Sequence, residues 1–414
     1  MKILYFHQHF KTPAQAGGTR SYEFARRLVD EGHSVTMVCG KMADLGLEPS
    51  GKTGMHRGMV DGIDVVQLDL PYSNKDNLLK RTKVFLRYAW KGIRLALSEE
   101  YDLLFATSTP LTAGIPGIAA KWFRRKKFVF EVRDLWPELP KALGMKNPFA
   151  LWGMSILEWL SYHAADACIG LSPGICDGIR RRSQKGKEIA FIPNGSDLEL
   201  FRPGKRSDLK LPGVEPDQFV ALFTGTHGIA NGLDAVLDAA AELKKMERPD
   251  IVLAFIGNGK QKEKLQKRAR DESLDNCRFY DPIPKKDLRD IVASVDAGMM
   301  ILANVPAFYY GTSPNKFFDY IAAGLPVFCN YPGWMADMIQ SRKCGVAVEP
   351  DNPKAFADAL VWLADHPAER REMGENARKL AESDFDRNRL GDRFTSFLEK
   401  AWADCDVPNS LEKQ

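Results

Sequence analysis

Short apolar runs alternate along the chain with longer stretches whose apolar positions return every three or four residues, the pattern of buried strands between amphipathic helices. Ile3, Leu4, Tyr5 and Phe6 form the first run, and a polar loop with His7, His9, Pro13 and the pair Gly17-Gly18 follows it. Phe24, Ala25, Leu28 and Val29 then share one helical face, with Thr19 or Ser21 as cap and Gly32 as terminator. Residues 35–38 read as a second strand. Strand, glycine loop, helix, strand predicts a crossover unit and hence a parallel sheet. Further strands are predicted at 65–68, 103–107, 128–132 and 166–172, with an apolar helix at 156–165.

The pattern then restarts. Residues 204–218 are polar, contain two prolines and read as a linker. A strand at 220–224 runs into a loop with Gly225, Gly228 and Gly232. A helix carrying Leu233, Val236, Leu237, Ala240 and Leu243 follows, then strands at 251–256 and 297–302. The tail from 353 to 402 is helical. This predicts an α/β chain with tandem units at 1–200 and 201–386 and a final helical segment at 387–414.

Chemistry concentrates at 311–330. Ser313-Pro314-Asn315 is a turn with a helix start, Ser313 being the candidate cap. Phe317, Phe318, Ile321 and Ala322 form a buried face, Gly324 ends the helix, and Val327-Phe328 is a strand. Lys316 and Asp319 stand three apart, on one helix face. A cation and a carboxylate near a helix N-terminus suit a ligand with phosphate and sugar hydroxyls. Spacing alone leaves a solvated ion pair equally open. Arg133 and Asp134, followed by Trp136 and Glu138, stand where strand 128–132 ends, a place where parallel sheets bind ligands. There the alternative is a local ion pair. His7 and His9 have no third ligand at metal spacing.

Composition narrows the classes. Of 414 residues, 44% are hydrophobic and 27% charged, ordinary values for a globular chain. A net charge of +4 gives no reason to expect a nucleic-acid partner. The 7 cysteines form no C-x-x-C pair and sit mostly in apolar runs, which fits reduced, buried thiols. The N-terminal apolar run is too short for a signal peptide, and no run has the length of a membrane span. The expected location is the cytoplasm. Basic residues interleaved with aromatics at 80–94 and 121–127 suit the inner face of a membrane, the alternative being a solvated face. Asp384-x-Asp386 and Asp404-x-Asp406 lie in the helical tail, away from any strand end, so no metal site is expected.

Three runs carry a family resemblance. They are Asp319-Tyr320 leading into Gly324-Leu-Pro-Val327, Phe191-Ile-Pro-Asn-Gly-Ser-Asp197 with Phe201 behind it, and Asp166-x-x-Ile169-x-x-Ser172. On them nearly the whole chain resembles the family 4 glycosyltransferases. That implies the GT-B fold, two Rossmann-like domains with parallel sheets facing an interdomain cleft, and a last helix that crosses back to the first domain. The form Gly311-Thr-Ser-Pro-Asn-Lys316-x-x-Asp319-Tyr320 is similar to a branch that includes bacterial fucosamine transferases of surface-polysaccharide assembly. The resemblance implies a UDP-sugar donor, an N-acetylated hexosamine as the sugar, a saccharide or lipid-linked acceptor, retention at the anomeric carbon and no cofactor.

Residue by residue, Asp319 matches the ribose-holding acid, and Gly17 and Gly18 face the donor phosphates. Asp134 keeps its place in a His-Asp pair whose His is here Arg133. Gly225, Thr226, His227, Asn231, Gly257 and Asn315 complete the donor set. The departures are informative. Gly311 replaces the family's first acid, while Thr226 and Asn231 stand where two phosphate-binding cations are expected. Lys316 is the stand-in cation, helped by backbone N–H groups of Gly225, Thr226 and His227 at a helix N-terminus. These gaps keep one alternative open, a catalytically silent nucleotide-sugar-binding subunit. The other alternative, a GT-B nucleotide-sugar epimerase, would need a carboxylate and a His set over the sugar, which the sequence does not show.

Overall fold

The structure, a computed structural model, describes residues 1–403 except 16, 43, 51–53 and 73–75. Cys405 and the pair Asp404 and Asp406 lie outside the described residues. The chain divides into two compact units. The first holds Met1–Thr12, Thr19–Pro193 and the segment from Asn388 onward, and the second holds Pro13–Gly18 and Asn194–Arg387. The division falls at Pro193, ahead of the 200 read from the sequence. The reason is local: Asn194 Nδ2 donates to Ser313 O at 2.6 Å and Ser196 Oγ to Phe318 O at 2.9 Å.

In the first unit β1 (Lys2–Phe6), β2 (Ser34–Lys41), β3 (Glu48–Pro49), β4 (Met55–Val60), β5 (Ile63–Pro71), β6 (Leu103–Thr107), β7 (Lys127–Val132), β8 (Ala167–Gly170) and β9 (Glu188–Phe191) form one sheet. Its order is β3-β4-β5-β2-β1-β6-β7-β8-β9. From β5 to β9 all neighbours are parallel. The β3-β4-β5 edge is antiparallel and was not expected. β4 carries His56 and Arg57 and is half-exposed along most of its length, so it shows no apolar run. Its signal was the turn Asp61-Gly62, where both residues have positive φ, as a tight hairpin requires.

Alternation along β1 sends Ile3 and Tyr5 to one face and Leu4 and Phe6 to the other. The first face packs helices Arg20–Asp30 and Arg387–Ala403, where the Phe394 ring lies 4.6 Å from Phe24 and 5.0 Å from Phe105. Helices Leu78–Ser98, Gly114–Arg124, Pro148–Ala164 and Pro173–Arg182 cover the second face.

The second unit is a parallel sheet of β10 (Phe219–Thr224), β11 (Ile251–Ile256), β12 (Cys277–Tyr280), β13 (Ala297–Met300), β14 (Val327–Cys329) and β15 (Gly345–Ala347), in order β12-β11-β10-β13-β14-β15. The order reverses beside β10, as it does beside β1 in the first sheet. In doubly wound sheets a ligand binds beyond the carboxyl ends of the strands at that reversal. The residues that matter therefore follow β1, β6 and β7, and β10, β11 and β13.

The expected side-chain caps are not made. Helix Asn315–Ala322 starts after Pro314 without one, and the Ser313 hydroxyl accepts from Asn194 N at 3.3 Å. The Thr19 hydroxyl donates to Glu23, and Ser21, already helical, bonds His7 Nδ1 at 2.6 Å. In each case a nearer polar partner takes the hydroxyl. The six described cysteines are all buried. No described helix is long and apolar enough to cross a membrane.

Candidate active site

Lys316 lies in the first turn of helix Asn315–Ala322, and its side chain lies across the carboxyl end of β10. The ammonium is 3.8 Å from the centre of the Phe223 ring and 3.4 Å from Asn231 Oδ1. Gly225, next after β10, has φ +135°, and a Cβ there would stand 3.4 Å from Lys316 Cε. No described carboxylate pairs with this lysine. Burial lowers its pKa from the ordinary 10.5 to about 7. The aromatic face offsets part of the cost of holding a charge there. A cation over glycine-turned strand ends, without an acidic partner, is suited to neutralise a diphosphate.

The loops around it are closely built. Gly257, next after β11, has φ +152°, and a Cβ would stand 1.8 Å from Gly225 O, so only glycine lets these two strand ends meet. Asn231 donates through Nδ2 to Thr226 O at 2.7 Å, which fixes the loop and leaves Oδ1 facing Lys316. His227 is fully buried, its ring nitrogens make no hydrogen bond among the described residues, and its pKa is lowered to about 4 by burial, then by Lys262 and Lys316.

The expectation that Gly225, Thr226 and His227 present backbone N–H groups at a helix N-terminus is corrected. Gly225 N donates to Ile256 O at 2.9 Å and His227 N to Asn258 O at 3.0 Å, and the helix begins only at Asp234. Strand-end pairing has taken two of the three donors. Thr226 N makes no backbone bond among the described residues.

Lys316 and Asp319 do not pair and do not share surroundings, which corrects their reading as neighbours on one ligand face. Asp319 is buried, and its Oδ1 lies 3.0 Å from the ammonium of Lys285. Lys285, also buried, begins helix Lys285–Val292 and stands 5.2 Å from the centre of the Phe201 ring. The sequence reading missed Lys285. Its only signal was a lysine at a helix start two residues after Ile283, behind Pro284. Three residues apart on the helix, the two side chains meet different partners, Phe223 and Asn231 for Lys316 and Lys285 for Asp319.

Gly17 has φ +126°. A Cβ on Gly18 would stand 2.6 Å from Asn315 Nδ2, so this glycine rests against the residue beside Lys316. The loop Pro13–Gly18 thus joins the helix start that carries the cation.

In the first unit Arg133 and Asp134 follow β7. Arg133 N donates to Ser108 Oγ at 2.9 Å, which ties them to the end of β6. No ion pair joins Arg133 to Asp134 among the described residues, so the local ion-pair reading fails there. Burial raises the pKa of Asp134, and Arg133 opposes it. Burial and then the Arg133 charge lower His7 and His9, the latter to about 4. A neutral imidazole, a guanidinium and a carboxyl therefore share the carboxyl edge of β1, β6 and β7.

Beneath them is a buried pair that the sequence reading missed. Arg20 donates from Nε and Nη2 to Glu131 Oε2 at 3.0 and 2.7 Å, and also to Ile192 O and Pro193 O. Thr107 Oγ1 donates to Glu131 Oε1 at 2.9 Å. This ties the helix after the Gly17-Gly18 loop to β7 and to the chain leaving β9. A glutamate inside an apolar strand was the available signal.

Comparison with known proteins agrees with this architecture. Residues 16–195 match the glycosyl transferase 4-like domain and residues 206–380 the glycosyl transferases group 1 domain. The chain is 30% identical to D-inositol 3-phosphate glycosyltransferase 2 of Catenulispora acidiphila over 199 residues, 46% of this chain and 45% of that one. It thus spans about half the length of the curated relatives of this kind. Sucrose-phosphate synthase of Thermosynechococcus elongatus superposes with a TM-score of 0.76 at 18% identity, covering 97% of this chain and 99% of that one. Anabaena HepE, solved with UDP-glucose, gives 0.70 at 16% identity, covering 97% and 100%. With both halves matching in turn, on the fold that goes with them, the chain carries a glycosyl transferase 4-like domain followed by a glycosyl transferases group 1 domain and has the GT-B fold.

Proposed function

We propose that the protein is a retaining, metal-independent transferase that moves a sugar from a UDP-sugar to a saccharide or lipid-linked saccharide in bacterial surface-polysaccharide assembly. The observation that carries this is Lys316, a half-buried cation at the switch point of the second sheet that pairs with no carboxylate among the described residues. It would neutralise the diphosphate as the anomeric bond breaks, the largest kind of catalytic contribution. Asp319, oriented by Lys285, keeps acceptor capacity for ribose hydroxyls, since a carboxylate offers about four lone-pair sites. Asp134 and Arg133 are assigned to the sugar and acceptor. HepE, solved with UDP-glucose, supports uridine as the base. The match of the 311–320 run to the fucosamine branch supports an N-acetylated hexosamine. The protein would work in the cytoplasm, with the basic residues at 80–94 and 121–127 toward the membrane.

Isothermal titration with UDP and GDP, followed by UDP release from UDP-N-acetylglucosamine without acceptor and with chelator present, tests the reading. The expected result is a preference for UDP and slow, chelator-insensitive release. Failure to bind either nucleotide overturns it. Binding with no release from any UDP-sugar favours the silent subunit, the reading that the missing cations and Arg133 also suit.

A further inference from the structure

The helix Pro148–Ala164, of which residues 156–165 read from the sequence as an apolar helix, turns much of its surface outward. Phe149, Trp152, Ile156 and Trp159 recur at helical spacing, and the first two are 84% and 68% exposed. The helix has one charged residue, Glu158, which is turned inward: it accepts from Trp136 N and Tyr162 Oη and pairs with Arg182.

Two neighbouring helices continue this surface on the same face of the first sheet. On Gly114–Arg124, Trp122 and Phe123 are exposed. On Leu78–Ser98, Leu79, Leu86, Trp90 and Leu97 form one exposed stripe, while Tyr88 and Leu95 on the far side enter the core. Lys83, Arg87 and Arg94 run beside that stripe, all exposed, and Arg94 leans over Trp90 at 5.2 Å. Neither of these helices contains a carboxylate. The three outer faces together offer aromatics and cations with no exposed acid.

We propose that this three-helix face inserts into the interfacial layer of an anionic lipid bilayer, with Phe149, Trp152 and Trp159 as the apolar anchor. This deepens the membrane contact read from the basic clusters and adds an element that reading did not contain. The combination selects the partner. Indole rings favour the headgroup layer, where an apolar body and a polar N–H are both satisfied. Each near-surface lysine or arginine adds attraction to anionic headgroups. A protein partner of ordinary character would meet the exposed cations with acids, whereas a lipid surface meets cations and aromatics together. The helix lies along the sheet with its polar side buried, so it is placed to lie in the interface plane rather than to span the bilayer.

Flotation of the full chain with vesicles of phosphatidylcholine, with and without phosphatidylglycerol, tests this, together with quenching of tryptophan by brominated acyl chains. Binding to the anionic vesicles and tryptophan quenching are expected. F149S/W152S should lower the partition coefficient at least about tenfold, by removing two buried aromatics. K83E/R87E/R94E should abolish the preference for phosphatidylglycerol while leaving residual quenching. Binding that survives F149S/W152S unchanged overturns the proposal. So does light scattering that shows a dimer which this variant splits, since a second copy would then cover the face. UDP affinity measured on the same variants should stay constant, which separates failure here from failure of the transferase reading.

Discussion

Replacing Lys316 by methionine should pull nucleotide affinity and stability in opposite directions. In the unliganded protein the pKa of Lys316 is about 7, against 10.5 for an ordinary lysine. The unfolded chain therefore binds more protons than the folded one between those values, and stability rises with pH across that window. Below pH 7 the folded state carries the whole penalty. The full shift corresponds to about 4 kcal/mol at pH 7. Lys316 keeps some solvent contact, and solvent screening brings the working figure to about 2 kcal/mol. K316M removes the charge and keeps the length. Its melting temperature at pH 6 to 7 should rise by about 4–8 °C, and the gain should fade toward pH 10.

UDP binding should weaken in the same variant by roughly 30- to 150-fold, the loss of a charge-assisted bond of about 2–3 kcal/mol. In the wild type the protonated fraction of Lys316 falls from about one half at pH 7 to about one hundredth at pH 9, so, with the uncharged form still binding roughly 30- to 150-fold more weakly, UDP affinity should drop about 10- to 30-fold. The terminal phosphate is already ionised in that range. In K316M the profile should be flat. Calorimetry and thermal melts across pH 6 to 10 measure both effects. Unchanged UDP affinity, a pH slope that persists in K316M, or a lowered melting temperature would each refute the assignment.

Asp319→Asn should lower UDP affinity by about 1–3 kcal/mol while leaving 2′-deoxy-UDP nearly unaffected, and a cycle of the two nucleotides measures whether the carboxylate reads the ribose. Gly257→Ala should destabilise the second unit by about 3 kcal/mol or more, because a Cβ meets Gly225 O at 1.8 Å; urea melts give the value, and a change below 1 kcal/mol would be wrong for a close approach of this kind. Phe394→Ala should cost about 3–5 kcal/mol through lost contact with Phe24 and Phe105, with UDP affinity retained at temperatures where the protein stays folded.

The sequence by itself determined the two sheets, their parallel centres and the glycine loops, because those features follow from local rules. Buried strands need apolar runs, and crossovers need helices of the right period. The position of Gly257 could be read from its neighbours, but the reason for it, contact with Gly225 O, is non-local. The same holds for Lys285 beside Asp319 and Arg20 beside Glu131, whose partners are 34 and 111 residues away. Helical spacing placed Lys316 and Asp319 together, and the structure parted them, because spacing fixes where a side chain leaves the helix and not what it packs against. Apolar content likewise marked a helix at 156–165 without telling which of its sides is covered. Only the folded chain shows that the sheet had room for the face with Tyr162 and Ala164, which leaves Phe149 and Trp152 outside.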